Sequence, residues 1–379
     1  MKILHVITSL GVGGAEAMLL KLLAGLDQDK FRQSIVTLAD SQSEFTEKAE
    51  AMGVQVQSLG MRPGGLSLMK LIRLVSIIRS HKPDIVQTWL YHSDLIGAIA
   101  AKLARVPAVV WNIRCSYLDR KDHPRSLFWI IWLLAKMSKI PEAVIVNSAA
   151  GRLAHEEHGY SPKRWELIQN GFNTDIFKPS LEARNALREA LGLGPDTLLI
   201  GMIARYHPMK DHETFLNAAG ILHQRREDVH FVLAGLGVDK DNRPLMEMIH
   251  RKGIMDKVSP LGERRNIQQI AAAMDIVTLT SYSEGFPNAI GEAMCCGVPC
   301  VAAGAGETRE LIGDTGIVIP AKDPEALAAA WDSMLSMTPQ ERGALGQAAR
   351  ARIIEKYSLE SVVRQYKSFY TQIAKKAES

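Results

Sequence analysis

A chain of 379 residues, 47% hydrophobic and 23% charged, has the make-up of a globular protein long enough for two domains. Its net charge of +4 is too weak to argue for nucleic acid, and it fits an anionic substrate or an acidic membrane surface. The four cysteines, Cys115, Cys295, Cys296 and Cys300, form no paired framework, which points to a reducing, cytoplasmic setting.

In chain order, Ile3 to Thr8 reads as a strand rather than a cleaved leader, because His5 interrupts the run and no cleavage site follows. The turn Gly11-Val-Gly13-Gly14-Ala15-Glu16 then opens a helix to about Leu26. Asp40, after the strand Ser34 to Leu38, sits where a dinucleotide fold keeps its ribose acid. Glu16, however, occupies the third glycine position, so an NAD-dependent oxidoreductase is a weaker rival. Helices from about Leu66 to Ser80 and Leu95 to Leu103 alternate with strands Ile85 to Thr88 and Ala108 to Ile113, the rhythm of a doubly wound sheet. His92, just past one strand, is a candidate catalytic or hydroxyl-binding group, and Asp94 reads as a helix N-cap.

Leu127 to Leu134 is an unbroken apolar run containing Trp129 and Trp132, flanked by Lys121, Arg125, Lys136 and Lys139. It reads as a buried helix before the strand Ala143 to Val146, or as an interfacial helix resting on an acidic leaflet. His155-Glu-Glu-His158 lacks the zinc-binding spacing and reads as a solvated helix face. No apolar run reaches the roughly 18 residues that span a bilayer.

Asn170-Gly171 signals a turn and Phe177-Lys-Pro-Ser180 a linker, after which the rhythm restarts. This sets a first α/β domain at 1–176, a second at 177–356 and a closing helix at 357–379. In the second domain, Leu198 to Ala204 reads as a strand followed by Arg205 and Lys210. One cation is a planar fork and the other a point charge, a pair suited to neutralising a diphosphate. Asp275 to Thr280 is a further strand, and Ala289 to Cys296 a helix with Pro287 near its first position. Glu284 in the loop and Glu292 about one turn into the helix face the crevice at the strand ends, where open α/β sheets bind ligands. The helix end suits a phosphate, which leaves two carboxylates for sugar hydroxyls. Asp239-Lys-Asp241 has the spacing by which some sugar transferases hold a divalent ion, and Cys295, Cys296 and Cys300 offer another metal candidate. The expectation is that the protein needs neither: the first reads as a surface loop, the second as packing.

Taken together, Glu284-Gly-Phe-Pro-Asn-Ala-Ile-Gly-Glu292, Arg205 with Lys210, Gly13-Gly14 and Gly297-Val-Pro299 resemble the retaining glycosyltransferases of family four over nearly the whole chain. The resemblance implies a GT-B fold: two Rossmann-like doubly wound domains facing a central cleft, with the last helix crossing back to the first. It implies that Glu284 contacts donor-sugar hydroxyls, Glu292 binds ribose, and Arg205 and Lys210 hold the diphosphate. Phe286, Pro287 and Asn288 would complete the donor loop, Gly262 and Glu263 would lie near the base, and Gly13 and Gly14 would approach the diphosphate. Pro287 stands where the family commonly has glycine, so Asn288 supplies the backbone contact. Arg114 stands where the family often has histidine, so His92 substitutes for it or Arg114 reads an anionic acceptor. The expected reaction is metal-independent transfer of a sugar from a nucleotide diphosphate to an acceptor hydroxyl with retention. The expected acceptor is a cell-surface polysaccharide or lipid-linked saccharide, as in lipopolysaccharide synthesis, made at the inner face of the membrane. A sugar-nucleotide epimerase is the principal rival.

Overall fold

The computed structural model describes every residue except Val12, Ser41, 62–66, Tyr117, 120–123 and Ser379. Leu66, expected to start a helix, and Lys121, an expected flanking cation, lie outside the described residues. The chain forms two compact units, Met1–Gly171 with Leu359–Ser379, and Phe172–Ser358.

The first unit runs β1 (Lys2–Ile7), α1 (Gly14–Gly25), β2 (Arg32–Thr37), α2 (Glu44–Ala51), β3 (Gln55–Ser58), α3 (Leu68–His81) and β4 (Ile85–Trp89). It continues through α4 (Tyr91–Ala104), β5 (Ala108–Ile113), α5 (Arg125–Met137), β6 (Ala143–Val146), α6 (Ala149–Glu157) and β7 (Trp165–Leu167). All seven strands are parallel, in the order β3-β2-β1-β4-β5-β6-β7. Strands β4, β5 and β6 are buried at every position, as strands covered on both faces must be. One face carries α3, α4 and α5 over Val6, Val86 and Trp111.

The second unit runs α7 (Leu181–Ala190), β8 (Leu198–Ile203), α8 (His212–His223), β9 (Val229–Ala234), α9 (Arg243–Arg251), β10 (Val258–Pro260) and α10 (Ile267–Ala273). It closes with β11 (Ile276–Leu279), α11 (Asn288–Cys295), β12 (Cys300–Ala303), α12 (Thr308–Ile312), β13 (Gly316–Ile319), α13 (Pro324–Leu335) and α14 (Pro339–Arg352). Its six strands are parallel in the order β10-β9-β8-β11-β12-β13, so the winding reverses between β8 and β11. The final helix α15 (Leu359–Glu378) belongs to the first unit, where Val362, Tyr366, Phe369 and Tyr370 are buried with Leu19 and Leu22 of α1. Gly25 makes room for Val363, since a Cβ there would lie 2.5 Å from its Cγ2.

Two local expectations fail. Asp94 caps nothing: α4 begins at Tyr91, and the Asp94 side chain is fully buried inside the helix, where it accepts from the Thr88 hydroxyl. Desolvation raises its pKa well above the usual carboxylate value, against the Thr88 hydrogen bond that lowers it. His155 is likewise fully buried rather than solvated, packed 5.0 Å from the Tyr160 ring. Helical spacing located that face of α6, but packing against α4 decided that it points inward.

The buried histidines should make unit 1 acid-sensitive. His155 Nδ1 donates to Gly151 O at 2.6 Å, and Nε2 lies 2.9 Å from the Tyr91 hydroxyl. His5 Nδ1 accepts from Trp89 Nε1 at 3.3 Å, which leaves Nε2 to face Gln33 Oε1. Burial lowers both pKa values to about 4 from 6.5. Below pH 6.5 the unfolded chain takes up protons that the folded state refuses, so stability present above 6.5 is lost as pH falls toward 4. We expect a loss of roughly 2–3 kcal/mol per histidine across that window. Urea titrations at neutral and mildly acidic pH measure it, and His155→Gln should flatten the slope.

Candidate functional site

The candidate site grows from the carboxyl ends of β8 and β11. After β9 the chain turns at Gly235, where φ is +151° and an added Cβ would lie 2.2 Å from Ala204 O and 2.9 Å from Arg205 N. Only glycine lets the two strand exits pass this closely, and the passage fixes the backbone that carries Arg205. Tyr206 N adds a hydrogen bond to Leu236 O at 2.8 Å. A single 3₁₀ turn, Pro208–Lys210, follows, with His207 Nδ1 accepting from Met209 N at 3.2 Å. Asp211, in the left-handed region at φ +52°, ends the turn and caps α8 through Thr214 N.

The same turn is held from the β11 side. Thr280 Oγ1 lies 2.8 Å from Lys210 O and 2.9 Å from Asp211 O, and Tyr282 N donates to Met209 O. Lys210 is thus suspended between the two strands that flank the reversal. Its ammonium pairs with the Glu284 carboxylate, with 17% and 10% of the two side chains exposed. Arg205, on the same edge, is exposed.

The backbone of Glu284 is clamped as well. Gly306, in the loop after β12, has φ +55°, and a Cβ there would lie 1.9 Å from Glu284 O and 2.9 Å from Gly285 O. Neither contact is with a flexible side chain, so an alanine must push the Glu284 loop away. We expect Gly306→Ala to destabilise the second unit by about 1–3 kcal/mol and to cut activity at least about tenfold. Thermal melts read alongside initial rates check both.

Pro287 is the N-cap of α11 rather than a helical residue, and the helix starts at Asn288. Glu292 is half-buried on its second turn, and its charge helps raise the Cys296 thiol to about 12, after the larger effect of burial. Gly291 is required because the Phe172 ring lies against the helix, with a Cβ position 2.0 Å from Cζ. Phe286 is buried, stacked 6.0 Å from Phe172 and tilted 5.9 Å from Tyr357, so its ring serves the core. Gly262, at φ +72°, joins the loops after β9 and β10: its N–H donates to Val238 O at 2.7 Å, and its O accepts from Gly235 N at 2.9 Å. Glu263 beside it is exposed.

Asp239 is occupied with local structure. Its Oδ1 accepts from the N–H groups of Asp241 and Asn242 at 3.0 and 3.2 Å, a turn that feeds α9. Among the described residues, no group of three or more His, Cys, Asp or Glu is placed to hold a metal ion. The four cysteines are free thiols, and Cys295, Cys296 and Cys300 are buried where α11 meets β12.

In the first unit, Gly13, His92 and Arg114 follow β1, β4 and β5. Gly13 is the N-cap of α1 in extended conformation, and Glu16 folds back over it, with a Cβ position 2.3 Å from Oε2. Gly14 is the first residue of α1. His92 stands exposed at the second position of α4, its pKa lowered by partial desolvation, after Leu90 at φ +68°. Arg114 is half-buried and bonded through all three nitrogens: Nε donates to Asn112 Oδ1 at 3.0 Å, and its two terminal nitrogens donate to Asn170 Oδ1 and the Tyr366 hydroxyl. Its face also rests 5.6 Å from the Trp89 ring. It ties β5 to the end of the first segment and to α15. Asp40 accepts from Ser58 Oγ at 2.6 Å.

Thr280, Gly235, Gly306 and Phe172 all shape the site, and none was singled out from sequence. The available signals were a threonine ending a strand and glycines in strand-exit loops.

Two doubly wound parallel units, each with polar loops at the carboxyl edge of its sheet, form the GT-B architecture of glycosyltransferases. A family described as Glycosyltransferase Family 4 matches residues 12–176, and one described as Glycosyl transferases group 1 matches residues 197–337. The chain belongs to the family-four glycosyltransferases. It is 26% identical over 317 residues to the putative glycosyltransferase EpsF of Bacillus subtilis, covering 79% of this chain and 78% of that one. Over 294 residues it is 26% identical to the D-inositol 3-phosphate glycosyltransferase of Mycobacterium marinum, covering 74% of this chain and 62% of that relative. The crystal structure of Anabaena Alr3699/HepE in complex with UDP matches with a TM-score of 0.86 at 26% identity, over 98% of this chain and 100% of that one. Sucrose-phosphate synthase from Thermosynechococcus elongatus shares the fold at a TM-score of 0.81 and 18% identity, over 98% of this chain and 99% of that one.

Proposed function

We infer that the protein transfers a hexosyl group from a nucleotide-diphosphate sugar, with UDP as the nucleotide, to an acceptor hydroxyl with retention of anomeric configuration. The observation that carries this is the Lys210–Glu284 pair, fixed beside Arg205 where the sheet order reverses. A sugar diphosphate needs cations at its phosphates and an acceptor of hydrogen bonds at its sugar, and this edge offers both. The UDP and UDP-glucose complexes of Alr3699/HepE support UDP as the nucleotide.

In this reading Lys210 and Arg205 hold the diphosphate and stabilise the charge that gathers on it as the bond from the anomeric carbon to the phosphate oxygen breaks. The acceptor oxygen attacks the same face, and its proton passes to the departing phosphate oxygen. Glu284 keeps Lys210 in place and receives donor-sugar hydroxyls. Glu292 takes the ribose, while Asn288 supplies backbone N–H at the helix end. Gly262 and Glu263 border the base, and Gly13 and Gly14 serve the diphosphate from the first unit. His92 serves the acceptor. The reaction proceeds without a metal ion, and the acceptor is a polysaccharide or lipid-linked saccharide.

Glu292→Ala should weaken UDP binding at least about tenfold, the loss of a charge-assisted hydrogen-bond pair. Unchanged affinity by calorimetry would contradict the ribose role. Turnover should persist in chelator, whereas a strict manganese requirement would overturn the metal-free step. Incubation with donor alone distinguishes the epimerase rival, which would release a stereoisomeric nucleotide sugar.

A further inference from the structure

The first unit has one face whose charge and polarity are unlike the rest of the molecule. Helices α3, α4 and α5 form a single layer over the sheet. Each buries an inner stripe, such as Leu74 and Ile78, Leu95 and Ala98, and Ile131 and Leu134. The outer stripes are also apolar. Met69 is 78% exposed, Trp129 70% and Trp132 53%, with Leu68, Ile72 and Leu103 more than half exposed. Trp129 and Trp132 stand as neighbours on the outer side of α5, ring centroids 6.0 Å apart.

The charge on this layer has one sign. The three helices contain a single acidic residue, Asp94, and it is fully buried. Exposed cations lie along all three: Arg73 and Arg79 on α3, Lys102 on α4, Arg125 and Lys136 on α5. Elsewhere the surface mixes signs, as a chain with 45 basic and 41 acidic residues must.

Large exposed apolar side chains cost free energy unless something covers them. A water-soluble protein partner would have to match both the apolar rows and the basic residues along them. An anionic bilayer does so without shape complementarity: tryptophans settle at the headgroup boundary, aliphatic side chains enter the acyl edge, and cations meet lipid phosphates. No described helix is long and apolar enough to cross a membrane, so the contact is with the surface. We propose that the α3–α4–α5 face of the first unit docks onto an anionic lipid surface, with Trp129 and Trp132 inserted at the interface and the basic residues on the headgroups.

The proposal is independent of the sugar-transfer reading and is tested without substrate. The full chain is floated with phosphatidylcholine vesicles and with vesicles of equal phosphatidylcholine and phosphatidylglycerol. Binding is expected only to the anionic vesicles, weakening severalfold as salt rises. Trp129→Glu with Trp132→Glu should reduce it at least about tenfold, and Met69→Glu with Leu103→Glu should do so independently. These side chains are exposed, so circular dichroism melts should be unchanged. Wild-type protein left at the bottom of the gradient, or double variants that float like wild type, would overturn the proposal. So would a dimer in solution that the tryptophan variant dissolves, because the face would then belong to a second copy of the chain.

Discussion

Lys210→Ala is expected to lower kcat by about two to three orders of magnitude while the protein stays folded, on the scale of losing one preorganised charge-stabilising group. Two losses combine. The leaving diphosphate loses a cation, and Glu284 keeps a carboxylate that is only 10% exposed without the ammonium it pairs with. Lys210→Arg should restore little, because a planar fork longer than an ammonium cannot occupy the space between β8 and β11 in the same pose. Thr280 holds the turn through the Lys210 and Asp211 carbonyls rather than the Lys210 side chain, so the 3₁₀ turn should survive the substitution. Initial rates with UDP-sugar, together with the melting temperature, decide the matter. A rate within severalfold of wild type would remove Lys210 from the chemistry, whereas a collapsed melting temperature would show that the pair serves the fold.

The largest expected effect on stability lies away from the site, at Arg188 of α7. Its guanidinium is 2% exposed and meets Asp275 at 2.6 Å just before β11. It also donates to three carbonyls, Thr197 and Ala273 at 3.0 Å and Arg184 at 3.1 Å. Asp275 in turn accepts from Arg184 at 2.6 Å and from Leu199 N at 2.8 Å, so one carboxylate joins α7, β8 and β11. Burial lowers the Arg188 pKa while Asp275 raises it, the balance of a desolvated ion pair. Arg188→Ala removes one partner, opens a cavity and strands three carbonyls. The cost should be about 3–5 kcal/mol, read by urea unfolding. At roughly 2–4 °C per kcal/mol for a unit of this size, the melting temperature should fall by about 10 °C. A loss under about 1 kcal/mol would mean the network is exchangeable with water.

The legible part of the protein was its repetitive part. Apolar runs of four to six residues separated by amphipathic spacing located the long buried strands, and Ala108–Ile113 and Ala143–Val146 match to the residue. A strand buried on both faces must be apolar at every position, so it announces itself. The short edge strands Gln55–Ser58, Trp165–Leu167 and Val258–Pro260 went unseen. Each has three or four residues and at least one exposed or half-buried position, so no apolar pattern separates them from loop.

The sequence alone determined two α/β domains and where the candidate acids and cations lie, because composition, period and motif spacing are local properties of the chain; the transferase class came from the resemblance of those motifs to family four. Only the tertiary structure decided that Lys210 and Glu284 touch across 74 residues, that Gly306 braces the Glu284 backbone, and that Arg114 is spent on Asn112, Asn170 and Tyr366. It also decided that Asp94 and His155 are buried while Trp129 is not. Those outcomes depend on which face of each helix meets the sheet and on which strand ends are neighbours. Both are set by long-range packing, which no window of sequence contains.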